Sequence, residues 1–107
     1  VDDRDHLLAS VDELIRGILE ANDLEHDDLV SMFFTATPDL HSEFPALAAR
    51  QLGIGDVPLL CAQEIDVDGA MPRVIRVMLH VETDRSKAEV RHVYLRGAVA
   101  LRRDLAQ

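Results

Sequence analysis

Charges embedded in apolar sequence are the first candidates for chemistry, because a charge removed from water is costly unless it is paired or used. Glu64 closes the apolar run that begins at Val57, Arg76 interrupts VIRVMLHV, and Arg102 follows AVAL. A carboxylate and guanidinium groups placed this way can grip a small charged ligand. They can equally form a structural ion pair between Glu64 and Arg76, or lie on an exposed sheet face. Spacing alone leaves these readings open.

Other chemistries lack their parts. His6, His26, His41, His80 and His92 are scattered without the spacing of a zinc site, and Cys61, the single cysteine, cannot build a thiolate cluster. There is no glycine-rich phosphate loop, no nucleophile elbow, and no serine or cysteine with a nameable base. Cys61 reads as a small buried hydrophobe rather than a nucleophile. No metal and no cofactor are expected.

The balance of charge narrows the partners. A net charge of −9 and a pI near 4.8 argue against nucleic acid or an anionic membrane surface, both of which attract basic patches. Ten of the eleven basic residues are arginines. That suits a protein binding a small carboxylate through paired hydrogen bonds, although a GC-rich genome would produce the same bias. One cysteine allows no internal disulfide, no signal peptide is visible, and no apolar run nears the ~18 residues a bilayer demands. A cytoplasmic protein is expected.

The elements that must position these charges follow from periodicity. Between Asp5 and Asn22, Leu7, Leu8, Val11, Leu14, Ile15, Ile18 and Leu19 recur at helical spacing. Asp2 or Asp3 can cap this helix, Asn22-Asp23 can end it, and Gly17 inside it costs about 1 kcal/mol relative to alanine. Leu29 to Thr37 reads as a buried strand. Ser42 to Leu52 reads as a short helix with Pro45 in its first turn and Gly53 past its end. Val57 to Ile65 is a second strand and Arg73 to Thr83 a third, with the turn signal Asp68-Gly69 between them.

In the third strand Ile75, Val77, Leu79 and Val81 share one face; Val74, Arg76, Met78 and His80 share the other. Asp84 to Glu89 is a polar turn or a short helical segment, and Val90 to Leu101 resumes a strand-like pattern. One long helix, one short helix and about four strands, two joined by a tight turn, make an α+β fold: a mixed sheet with helices on one face. At 107 residues the chain has room for one domain, and domains this small often associate with copies of themselves.

Five segments carry a resemblance. TATPDLHSEFPALAAR (35–50), CAQEIDV (61–67), IRVM (75–78), RHVYL (91–95) and AVALRRDL (98–105) resemble, in order and spacing, the small monofunctional trimeric chorismate mutases. The resemblance implies a homotrimer whose sheets form a barrel-like core, with active sites between subunits and chorismate as substrate. It implies that Arg76 faces the ether oxygen of the breaking bond. Glu64 and Cys61 would contact the ring-hydroxyl region, and Tyr94 a substrate carboxylate. Phe44, Arg50 and Arg102 would line the cleft from the neighbouring subunit.

Two departures lie near that cleft: Leu60 stands where a small polar residue is expected, and Leu47 where the family often has lysine. The family also has an N-terminal strand ending in an Arg-Gly segment whose arginine binds a carboxylate. Residues 1–107 read as a single domain without that strand. Either the strand precedes Val1 in the gene product, or the sheet lacks an edge and the site an arginine. In the second case the fold would serve as a non-catalytic trimeric carboxylate-binding module or an inactive truncated homologue.

The implied reaction fits what is absent. A Claisen rearrangement is unimolecular and needs no nucleophile, general acid or cofactor. It needs a flexible dianion held compact and a fixed cation where negative charge grows on the ether oxygen.

Overall fold

The run LVSMFFTA is apolar at nearly every position, the pattern of a strand covered by neighbours on both edges. In the computed structural model, which describes residues 3–96, it forms the central strand β1 (Leu29–Ala36) of a three-stranded sheet. Strand β2 (Leu59–Gln63) pairs with it in parallel, and β3 (Ile75–Val81) pairs antiparallel on its other edge. The order is β2-β1-β3.

Two helices cover one face. Helix α1 (Arg4–Ala21) starts at Asp3, whose carboxylate accepts the His6 N–H at 3.0 Å. Its apolar stripe buries Leu7, Leu8, Val11 and Ile15. Helix α2 (Ala46–Gln51) begins after Pro45 and buries Ala46, Ala48 and Ala49. It ends at Leu52, where Gly53 takes a positive φ of 88° to reverse the chain. These residues close on Met32 and Phe34 of β1, with Ile54 and Val57 from the α2–β2 connection. Ile75, Val77, Leu79 and Val81 pack against the same core, as the alternation in β3 requires. Among the described residues no helix is long and apolar enough to cross a membrane.

The fold differs from the sequence expectations in five places. Residues 42–45 precede α2 rather than belonging to it: the Phe44 N–H is taken by the Glu43 side chain at 2.9 Å, and Pro45 is the cap. The second strand is shorter than 57–65 because Pro58 has no N–H to give; only its carbonyl joins the ladder, accepting from Met32 at 3.0 Å. The turn at Asp68-Gly69 exists, with Gly69 at φ 83°, but it does not make a hairpin, because β1 lies between β2 and β3. Finally, residues 90–95 form no strand. The Asn22 side chain satisfies Arg91 instead, accepting its N–H at 2.7 Å and donating to its carbonyl at 2.9 Å. Val74 also leaves the open face expected of it and is buried.

Candidate active site

Mixed pairing brings three chain segments to one end of the sheet. Because β2 runs with β1 and β3 against it, the end of β2 and the start of β3 both lie beside the end of β1: Ala36 is in register with Gln63 and with Ile75. Glu64 continues the β2 ladder by donating its N–H to the Ala36 carbonyl at 2.9 Å. Thr35 sits directly across from Arg76 on β3 and from Ala62 on β2. The side chains of Thr35, Glu64 and Arg76 therefore meet on the sheet face away from the helices.

Their contacts are specific. Arg76 Nε donates to Glu64 Oε2 at 2.9 Å, and the Thr35 hydroxyl donates to the same oxygen at 2.6 Å. Glu64 is largely covered, its side chain 16% exposed, whereas that of Arg76 is 52% exposed. The ion pair weighed from sequence does form, but it uses one of the guanidinium's five N–H groups. Among the described residues no other hydrogen bond engages the Arg76 guanidinium or Glu64 Oε1.

A second network fixes the backbone leading to Arg76. Thr37, which is buried, donates its hydroxyl to Asp39 at 2.6 Å and accepts the Val74 N–H at 3.0 Å. Asp39 also accepts the Arg73 N–H at 3.1 Å, where Arg73 turns through a positive φ of 52° into β3. The Thr37 hydroxyl, with the Arg73 N–H and charge, holds the Asp39 carboxyl below its usual pKa against the opposing effect of desolvation. This clamp sets where β3 begins, and so where Arg76 falls.

The other candidates are placed differently. Leu60 is 60% exposed on the face of Thr35, in register with Phe33. Cys61 is in register with Phe34 and packs against the core, so its side chain does not share the face of Glu64 and Arg76. Phe44 is 71% exposed ahead of α2. Its backbone is held by Glu43, whose carboxyl is lowered first by the Phe44 N–H and then by Arg4, bonded at 2.9 Å. Arg50 is exposed on the last turn of α2, and Tyr94 is half-buried after Lys87–Glu89. None of Phe44, Arg50 and Tyr94 makes a hydrogen bond or ion pair to Glu64 or Arg76. Arg102 lies outside the described residues.

Thr35 is the member of the cluster that sequence reasoning missed. Alternation from buried Met32 and Phe34 puts it on the open face, but threonine is ordinary in strands and only the β1–β3 register sets it opposite Arg76. Surface concavities do exist elsewhere on the chain, one lined by Arg16, Leu19, His26 and Leu52, another by Asp28, Glu82 and Arg85. Neither includes Glu64 or Arg76, and the Arg76 side chain is half-exposed on the open sheet face.

Comparison with known proteins gives the family. The chain is 53% identical to chorismate mutase AroH of Thermus thermophilus over 94 residues, covering 87% of this chain and 77% of the relative. It is 44% identical to chorismate mutase AroH of Bacillus subtilis (strain 168) over 106 residues, covering 98% and 84%. Its fold superposes on a solved chorismate mutase from Clostridium thermocellum with a TM-score of 0.91 at 44% identity, covering 92% of this chain and 88% of that one. The family model described as chorismate mutase type I matches residues 1–105, and with these relatives it shows that the chain belongs to the type I chorismate mutases.

Proposed function

We propose that this chain catalyses the rearrangement of chorismate to prephenate in aromatic amino-acid biosynthesis, at a site centred on Arg76 and Glu64. The observation that carries the reading is the way Arg76 is held: fixed through Nε by Glu64, with the rest of its guanidinium half-exposed. In this reaction the ether C–O bond breaks and a C–C bond forms within one molecule, so no atom is gained or lost. Negative charge grows on the ether oxygen as the C–O bond lengthens. A cation already oriented toward that oxygen stabilises the transition state more than the ground state, without reorganising during the reaction.

The remaining roles follow the chemistry of the ligand. Glu64 Oε1 accepts from the ring hydroxyl, while Cys61, facing the core, shapes the floor beneath that end. Tyr94 donates to a carboxylate. Phe44, Arg50 and Arg102 close the site from a neighbouring subunit of a homotrimer, with Leu60 at its margin. Two features support shared sites: the single subunit leaves the cluster open, and Val30, Phe33, Leu60 and Met78 expose apolar surface on the same sheet face. Such a patch is expected to be covered by a partner surface. The lone cysteine and the nature of the pathway are consistent with a cytoplasmic enzyme.

Loss of the ultraviolet absorbance of chorismate, followed with the purified protein at concentrations where it is assembled, tests the reading. Saturable turnover with prephenate as product is expected. Saturable chorismate binding without turnover would overturn it in favour of a carboxylate-binding module on the same fold.

A further inference from the structure

Arginine and carboxylate tend to close a two-point fork, with two parallel N–H···O bonds. The Glu64–Arg76 pair does not. It is joined at one point, Nε to Oε2 at 2.9 Å, and the same oxygen also accepts the Thr35 hydroxyl at 2.6 Å. Both donors converge on Oε2, and among the described residues Oε1 has no partner. The carboxylate is thus turned so that one oxygen is doubly occupied and the other is open.

The source of that orientation is Thr35. It lies on the central strand, in register with Arg76 on one side and with Ala62, two residues before Glu64, on the other. Its hydroxyl is the fixed point from which the carboxylate hangs. We infer that Thr35 is a positioning residue for Arg76, acting through Glu64: by holding Oε2 it prevents the carboxylate from rotating into a two-point fork. With the fork open, the Nη groups of Arg76 and Oε1 of Glu64 remain available to a ligand. Without the Thr35 hydroxyl, the carboxylate can take a second guanidinium N–H, neutralise more of its charge and engage Oε1.

This inference rests on the chorismate mutase reading above and is separable from it by experiment. Thr35→Val keeps the β-branched shape and removes only the hydroxyl, while T35S keeps the hydroxyl and removes a methyl. In steady-state assays on chorismate, T35V is expected to lose about tenfold to a hundredfold in kcat, the worth of a hydrogen bond to a charged group. KM should move by less than about threefold, because orientation of the cation matters most in the transition state. T35S should recover most of the loss.

A double-variant cycle supplies the readout that a merely structural role would not move. If Thr35 acts through Glu64, T35V costs little further activity in an E64Q background. Should T35V fail to assemble, T35A is compared with T35S in its place. Wild-type turnover with T35V within about twofold of it in kcat would overturn this inference alone, as would full additivity with E64Q. Absence of wild-type turnover would instead overturn the parent reading, and this one with it.

Discussion

Replacing Arg76 by alanine separates a catalytic cation from a structural one, because the two roles predict losses in different quantities. In the subunit the arginine side chain is 52% exposed and meets Glu64 through one bond. A half-exposed pair of this kind contributes about 0–1 kcal/mol to stability, since solvent screens it and two side chains must be ordered. Glu64 would keep the Thr35 hydroxyl as a donor. Unfolding of R76A should therefore shift by no more than about 1 kcal/mol per subunit, or a few degrees in Tm. Catalysis should suffer far more. Losing a preorganised donor at a developing oxyanion costs about 3 to 4 kcal/mol, or roughly a hundredfold to a thousandfold in kcat. R76K should restore only part, because one ammonium cannot occupy both the Nε position at Glu64 and the outward positions of the guanidinium. The assay is chorismate consumption, alongside chemical denaturation of the same samples. Turnover of R76A within about threefold of wild type would refute the argument. So would a stability loss above about 3 kcal/mol, the mark of a buried structural pair.

Three further outcomes are expected. Gly17→Ala should stabilise the protein by about 0.5–1 kcal/mol in denaturant titrations, because the helix gains propensity and the added Cβ would meet Val93 Cγ1 at 3.6 Å, an ordinary contact. Met78→Asp, on the open face and 60% exposed in the subunit, should leave the fold intact by circular dichroism but reduce the assembled mass in sedimentation and abolish turnover; an unchanged mass would show that this face is free. Asp39→Asn should lower stability near neutral pH. The Asp39 carboxyl has a depressed folded pKa, so its contribution is present above its unfolded value of about 3.9 and is lost as pH falls through the folded value. Denaturation curves for wild type and D39N should accordingly converge in acid; a gap that persists there would assign the effect to shape rather than charge.

How much of this was legible in the residues depended on the range of the interactions involved. Helix α1 and an aspartate cap at Asp2 or Asp3 could be read because the apolar period and the capping side chain are local; the structure selects Asp3. The same holds for the two faces of β3, where Arg76 was placed correctly among Met78 and His80. The turn at Gly69 was also local and correctly found. What it joins was not local. A turn signal between two strands suggests a hairpin, yet the strongest partner for both strands was the earlier run LVSMFFTA, which took the centre and separated them. At the start of the segment 90–95 the partner is likewise distant in sequence, since the Asn22 side chain takes both backbone groups of Arg91. Among the site residues, Glu64 and Arg76 stood out as charges in apolar runs, whereas Thr35 could be found only from register.

The central position of β1 is also what creates the site. Had β2 and β3 formed the expected hairpin about Asp68-Gly69, Glu64 would have stood across from Arg73 and Arg76 across from Cys61, with the two charges on opposite faces of the sheet. With β1 between them, the two charged residues come from opposite edges of a strand and must meet over its surface. The residue at the crossing point, Thr35, can then take part in the pair and limit it. The segment 65–74 passes from one edge of the sheet to the other, and the Thr37–Asp39 clamp fixes where it enters β3. A rearrangement that needs no proton transfer and no nucleophile depends on holding one charge still and leaving it open. A mixed three-stranded sheet with its most apolar strand in the centre supplies both conditions from backbone geometry, before any substrate arrives.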